Sequence, residues 1–297
     1  MSALFETVGF AMVTAAIVSL GAVGFTLQYS VSRVFNFAYG AVMTSAAYFA
    51  YMANVTLGWN IWLSVAAGAA LGAVLTMSLQ AGVFGPFLAR RADPFTLLIA
   101  SMGAGLVIKS LVNAIAGFHA QSYDVHVEVA VHVWKFLWTP RQLVIMGLAV
   151  TAMLLLHGML RYTRFGKAMR AVADDADLAG NSGVNARTVT LLAWGISGVL
   201  CGLAGVVLAL NTVSFDSEVG TSLLLVAVAA AVVGGVGEPY GAMLGALAVG
   251  LASEFTAWLI SPGLKDVAAF VFLVVVLILR PYGLRSGERL RAEAQAL

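Results

Sequence analysis

An all-α polytopic membrane protein is predicted by three features of this chain. Apolar residues make up 61% of the 297 positions and charged residues only 10%, with a mean hydropathy of +0.95. No water-soluble core buries that much apolar surface in a chain of this size, so the solvent has to be lipid. The second feature is a succession of nine long apolar stretches. The third is a set of 31 glycines, some at helical spacing, where small residues let helix backbones approach closely in lipid. The expectation is one transmembrane domain over residues 1–297, with about eight to nine membrane segments.

The stretches run Val8 to Gln28, Val34 to Ala53, Ile61 to Gly82, Phe95 to Gly117, Gln142 to Leu160, Thr188 to Leu210, Gly220 to Gly237, Pro239 to Ile260 and Val267 to Leu279. At 1.5 Å per residue, a helix of about 20 residues crosses a hydrocarbon core of about 30 Å. The first six stretches read as spans. The seventh and eighth are separated only by Glu238, and the ninth reaches spanning length only by including Pro262 to Asp266. Met1 to Thr7 carries Glu6 and no Lys or Arg, unlike a signal peptide, so the first stretch is expected to remain in the mature protein. The lone cysteine, Cys201, lies in an apolar run and reads as a small packing residue.

Orientation follows from the basic residues. With the N-terminus outside and nine alternating segments, 12 of the 16 Lys and Arg residues fall on one side: Arg33, Arg90, Arg91, Arg161, Arg164, Lys167, Arg170, Arg187, Arg280, Arg285, Arg289 and Arg291. The positive-inside rule then places the C-terminus in the cytoplasm. Seven crossings plus a re-entrant hairpin from residues 220–260 satisfy the same parity.

Two glycine-containing breaks interrupt the apolar pattern, near residues 36–41 and 234–242. Each contains Tyr-Gly-Ala ahead of a run of small residues, which reads as a degenerate internal repeat or as a chance recurrence. Irregular backbone at membrane depth is tolerated inside protein or beside water, so broken helices commonly mark a translocation path. Asn36, Phe37, Tyr39 and Gly40 are the candidates from the first break, with Gly235 and Gly237 as the facing element. Asn36 equally suits a bond to a neighbouring helix. Further glycines, at 198, 202 and 205 and at 237, 241 and 245, read as helix packing.

One connection, Arg161 to Gly183, is long and polar. It has a basic start, a short Ala-rich helix, an acidic patch and a glycine exit, which suits docking by a soluble partner. There is no phosphate-binding loop, since Gly166-Lys167 is followed by Ala168, and neither zincin nor nucleophile-elbow motifs occur. The histidines at 119, 126, 132 and 157 lack metal-ligand spacing. These absences argue against an enzyme. Lys109 and Glu254 are the only ionisable groups inside spans, each about two-thirds of the way to the outer face, and either pair with one another or snorkel. Two peripheral charges make a poor proton relay.

Five stretches carry a family resemblance: Val34-Phe-Asn-Phe-Ala-Tyr-Gly-Ala-Val-Met43; Gly166-Lys-Ala-Met-Arg-Ala-Val172, continuing to Gly183-Val-Asn185; Gly202-Leu-Ala-Gly-Val206; Val233-Gly-Gly-Val-Gly237 with Gly241-Ala-Met-Leu-Gly245; and Arg280-Pro-Tyr-Gly-Leu284. In this order they resemble the inner-membrane permease of branched-chain amino-acid ABC importers, LivH type. The resemblance implies a LivM-type partner permease, two cytoplasmic ATPase subunits and an extracytoplasmic solute-binding protein that sets most of the selectivity. It also implies a coupling loop over 161–187, where Asp177-Leu-Ala-Gly-Asn-Ser-Gly183 is similar to the family's E-A-A-x-x-x-G, with Asp for Glu and Leu for Ala. Gly166, Arg170, Asp177, Ala179 and Gly183 are its candidate coupling residues. The later I-x-L-P part of that motif is not visible.

The expected function is a permease subunit that passes branched-chain or other small amino acids inward across the inner membrane. ATP is used by its partners, no cofactor is bound by this chain, and lipid but no nucleic acid surrounds it. A sister importer of urea, short amides or aromatic acids has the same architecture. An ATP-independent channel or facilitator is the reading from another class.

Overall fold

A computed structural model describes residues 2–117, 119–124, 129, 131–133, 136–212, 214–280 and 283–284. The histidine at 126, the C-terminal tail from 287 onward and the Pro-Tyr of the last family stretch lie outside them. Each of the nine apolar stretches carries a helix. The helices are α1 (Ser2–Ser32), α2 (Ala38–Tyr51), α3 (Ile61–Leu79), α4 (Gly85–Ala89), α5 (Pro94–Ala116), α6 (Pro140–Tyr162), α7 (Arg164–Asp174), α8 (Ala176–Asn181), α9 (Ala186–Asn211), α10 (Val219–Gly234), α11 (Pro239–Leu259) and α12 (Lys265–Leu279). π turns at Met52–Thr56 and Gln80–Phe84 follow α2 and α3, and the latter merges α3 with α4 into one apolar rod.

Among the described residues, seven helical segments are long and apolar enough to cross a membrane: Leu4–Ser32, Ile61–Ala89, Pro94–Ala116, Pro140–Tyr162, Ala186–Asn211, Pro239–Leu259 and Pro262–Leu279. The two remaining apolar helices, α2 and α10, have 14 and 16 residues. They are shorter than the roughly 20 residues a crossing requires. The second stretch, read from sequence as a full span, thus loses Val34 to Phe37 to an irregular segment and its last turns to a π turn.

The chain divides into two compact units, residues 1–26, 127–150 and 225–297, and residues 27–126 and 151–224. In the second unit, α2 is the core: nearly every residue from Ala38 to Ala50 is buried. Small residues admit its neighbours. Gly68 of α3 packs at Ala46 and Ala50, Gly105 of α5 at Ala38, and Gly205 of α9 at Met43. The α3 and α9 backbones touch where Gly72 meets Gly198 and Gly202, so the 198, 202, 205 series is a packing seam. Thr76 Oγ1 seals it by donating to the carbonyl of Trp194 at 2.9 Å.

In the first unit, Gly250 of α11 packs on Ala15 of α1. A small antiparallel hairpin pairs β1 (Val131–Val133) with β2 (Phe136–Trp138), Val131 opposite Trp138. Trp138 Nε1 donates to the carbonyl of Gly9 at 3.1 Å, and its ring stacks on Phe136. Hydropathy signalled nothing here except an outer loop.

Candidate functional site

The first break lies in the second unit. Helix α1 ends at Arg33, whose φ of 54° is left-handed and stops the helix. Residues 33–37 are then irregular. Asn36 is fully buried, and its Oδ1 accepts from the N–H of Ala38 at 3.0 Å, capping α2. The backbone N–H of Phe37 donates to Ser101 Oγ at 3.2 Å. Tyr39 and Gly40 already belong to the first turn of α2. The Tyr39 hydroxyl donates to the carbonyl of Ser197 at 3.2 Å, and Cys201 Sγ contacts the carbonyl of Tyr39 at 3.3 Å.

Gly40 is required by a close approach. A Cβ there would meet the carbonyl of Gly220 and the Cα of Thr221 at 2.9 and 3.1 Å. Thr44 Oγ1 completes the crossing by accepting from the N–H of Gly220 at 3.1 Å. The two short helices α2 and α10 therefore meet at their first turns. Above them, the bridge between Gln121 and Phe215 and the cluster of Tyr48, Tyr51, Tyr123 and Phe215 close the unit. Tyr123 donates to the carbonyl of Ala47 at 2.8 Å, and its burial raises the pKa of the phenol.

The second break, residues 235–238, lies in the first unit. Gly235 and Gly237 have φ of 111° and 93°, which L side chains adopt only with strain. Pro239 starts α11, and Tyr240-Gly241-Ala242 forms its first turn. Gly241 packs on Gly234, and Gly245 on Ala230, so α10 turns sharply into α11. The N–H of Leu284 donates to the carbonyl of Val233 at 2.8 Å, bringing the end of the last family stretch against this break.

The coupling segment is two capped helices in place of the single one expected. Thr163 Oγ1 accepts from the N–H of Gly166 at 3.1 Å, capping α7. Gly166 is needed because a Cβ would strike the carbonyls of Met159 and Leu160. Arg170 Nη1 donates to that same Leu160 carbonyl, and Gly166, Met169 and Val172 form the buried face of α7. Asp175 Oδ1 caps α8 by accepting from the N–H groups of Asp177 and Leu178, each at 2.9 Å.

Gly183, at φ 86°, ends α8. Its N–H donates to the carbonyl of Gly180 and that of Val184 to Ala179, both at 3.0 Å, the paired bonds of a Schellman motif. Ala179 is buried, Asp177 is exposed, and Leu178 is 64% exposed. Sequence reasoning treated Leu178 only as a departure from the family pattern; an exposed apolar side chain on a capped helix is a contact candidate. It also missed Arg33, whose Nη2 donates to the carbonyl of Ala173 at 3.1 Å and so ties the first break to α7.

The two ionisable groups inside spans do not pair with each other. Lys109 pairs with Glu218, and Glu254 accepts from Lys265 Nζ and from Thr14 Oγ1, both at 2.7 Å. Glu254 is 6% exposed, so this second pair is the desolvated one. Outside the spans, Asp93 caps α5; the Thr96 hydroxyl and N–H hold its carboxyl below the usual carboxylate range. Among the described residues, no three His, Cys, Asp or Glu side chains form a metal-binding group.

The profile of a family described as branched-chain amino acid transport system / permease component matches residues 7–279. The high-affinity branched-chain amino acid transport system permease protein LivH of Escherichia coli K12 is 31% identical over 284 residues, covering 90% of each chain. Its Pseudomonas aeruginosa relative BraD, with the same description, is 27% identical over 293 residues, again 90% of each chain. Among solved structures, PsaBC from Streptococcus pneumoniae in complex with Fab matches with a TM-score of 0.50 at 13% identity, covering 92% of this chain and 91% of that one. That likeness concerns the fold alone. With its apolar helices and with relatives that are permease subunits, the chain is a multi-pass membrane protein, and it belongs to the family of branched-chain amino acid transport permeases.

Proposed function

We propose that this chain is one half of a heterodimeric pore in an ATP-driven importer, passing branched-chain or other small amino acids inward. The observation that carries this reading is the α7–α8 pair. Two short, fully capped helices stand between the span-length helices α6 and α9, with Leu178 turned outward. A loose loop absorbs a push, whereas capped helices tied to a helix end transmit it.

Two partner ATPases bind and hydrolyse the ATP, and this chain itself holds no cofactor. Gly166, Arg170, Ala179 and Gly183 shape the docking element, and Asp177 and Leu178 face the partner. A LivM-type permease completes the pore, and an extracytoplasmic binding protein delivers the solute. The basic-residue distribution supports an outer N-terminus and a cytoplasmic C-terminus. The translocation path runs by Asn36, Phe37, Tyr39 and Gly40 in the second unit, and Gly235 and Gly237 in the first unit are separate candidates for it. Amino acids come first as substrates because the relatives LivH and BraD are named for them.

The test is co-purification of the ATPase subunits with wild-type permease and with Leu178→Asp, Ala179→Asp and Gly183→Arg, together with leucine uptake. Leu178→Asp alters an exposed side chain and leaves the packing intact. It is expected to lose both ATPase recovery and uptake while remaining folded. Uptake that persists without any ATPase overturns the importer and leaves a facilitator.

A further inference from the structure

Two buried amides bracket the break between α1 and α2, and each uses only its oxygen. Gln28, 1% exposed, lies one turn before the end of α1, and its Oε1 accepts from Ser197 Oγ at 3.5 Å. Asn36, 0% exposed, uses Oδ1 to cap α2. Gln28 Nε2 and Asn36 Nδ2 have no partner among the described residues. Each is a two-donor group. A buried donor without an acceptor costs more than a typical hydrogen bond contributes, and an apolar side chain of similar size avoids that cost.

Both amides are fastened to one frame. Ser197 on α9 donates to Gln28 and accepts from the Tyr39 hydroxyl, while the N–H of Tyr39 donates to the carbonyl of Asn36. The oxygens of these two amides are therefore used internally, and what each amide has left is its donor nitrogen. The complementary guest is acceptor-only. A carboxylate fits this description, with two oxygens and no proton to give. Neutral amides hold it without the strength of a guanidinium, which suits a solute that has to leave again.

We infer that Gln28 and Asn36 are specificity-determining residues that pass the carboxylate of the travelling amino acid across the break, each donating from its amide nitrogen. This rests on the importer reading. The experiment is ATP-driven uptake of radiolabelled leucine by the complete complex in proteoliposomes, carrying wild type, Gln28→Met or Asn36→Asp, with the thermal midpoint of each purified complex measured alongside.

Gln28→Met removes the donors at similar volume; Asn36→Asp keeps the cap on α2 and replaces the donor with an acceptor. The expected result is that uptake falls about tenfold or more, the loss of a hydrogen bond to a charged group, while the midpoint of Gln28→Met stays level or rises. Wild-type uptake matched by both variants, or uptake that falls only in step with the midpoint, overturns the inference and leaves the importer standing. Absence of ATP-driven leucine uptake by the wild type overturns the importer reading and this inference with it.

Discussion

The two Tyr-Gly-Ala breaks share a tripeptide and differ in what surrounds it. At the first, Gly40 meets Gly220, far away in sequence, Thr44 reinforces that crossing, and Asn36 and Ser101 hold the backbone of the break in a buried setting. At the second, Gly241 meets Gly234 across a four-residue turn, and Gly237 has open space where a Cβ would stand. The first glycine serves long-range packing; the second pair serves a local chain reversal. Similar sequence at a helix break therefore does not imply a similar mechanical role, which weakens the internal-repeat reading and favours the first break as the polar one.

The largest expected effect tests the long-range crossing. Gly40→Val should force α2 and α10 apart and destabilise the protein by about 3 kcal/mol, the upper range for overpacking. Loss of the monodisperse peak on size-exclusion chromatography would register it, and a variant as stable as wild type would break the comparison. The ion pairs extend the same contrast. Lys265→Met leaves the buried Glu254 carboxylate with only Thr14, at a cost of about 1–2 kcal/mol. Lys109→Met removes an exposed pair with Glu218 and should cost under about 1 kcal/mol. Equal shifts in thermal midpoint would show that burial does not distinguish them.

The local break is expected to respond more weakly. Gly237→Ala meets no neighbouring atom, so only the backbone term applies, about 1 kcal/mol for a positive φ. A loss as large as that of Gly40→Val would mean that the second break is also a packed crossing. The smallest effect is a pH dependence at Asp93, outside both breaks. Its folded pKa is lowered, so its stabilising contribution is present above the unfolded carboxylate pKa and is lost as pH falls through the folded one. Asp93→Ala should flatten the acid limb of a melting-temperature profile, and an unchanged limb would remove the cap from the account.

Local chemistry made much of this legible. Long apolar runs announced the helices, Gly and Pro placed both breaks within a few residues, and the polar run from Arg161 to Gly183 announced a separate element whose Thr163, Asp175 and Gly183 obey ordinary capping rules. Leu178 was visible as a residue, but its exposure was not. The polar site was legible only at Asn36, because the amide of Gln28 sits in an unbroken apolar helix, where nothing local distinguishes an orphaned donor from a satisfied one.

By itself the sequence determined the solvent, the number of apolar helices and the bend at the second break, because these depend on transfer free energy and on glycine and proline backbones. Only the tertiary structure decided that α2 is a short buried core, that Gly40 meets Gly220, and that Lys109 and Glu254 take Glu218 and Lys265 as partners. The reason is physical. A helix that is apolar all round has no amphipathic stripe to announce its packed face, so the choice of neighbour falls to shape and to a few buried polar atoms whose partners lie far away along the chain.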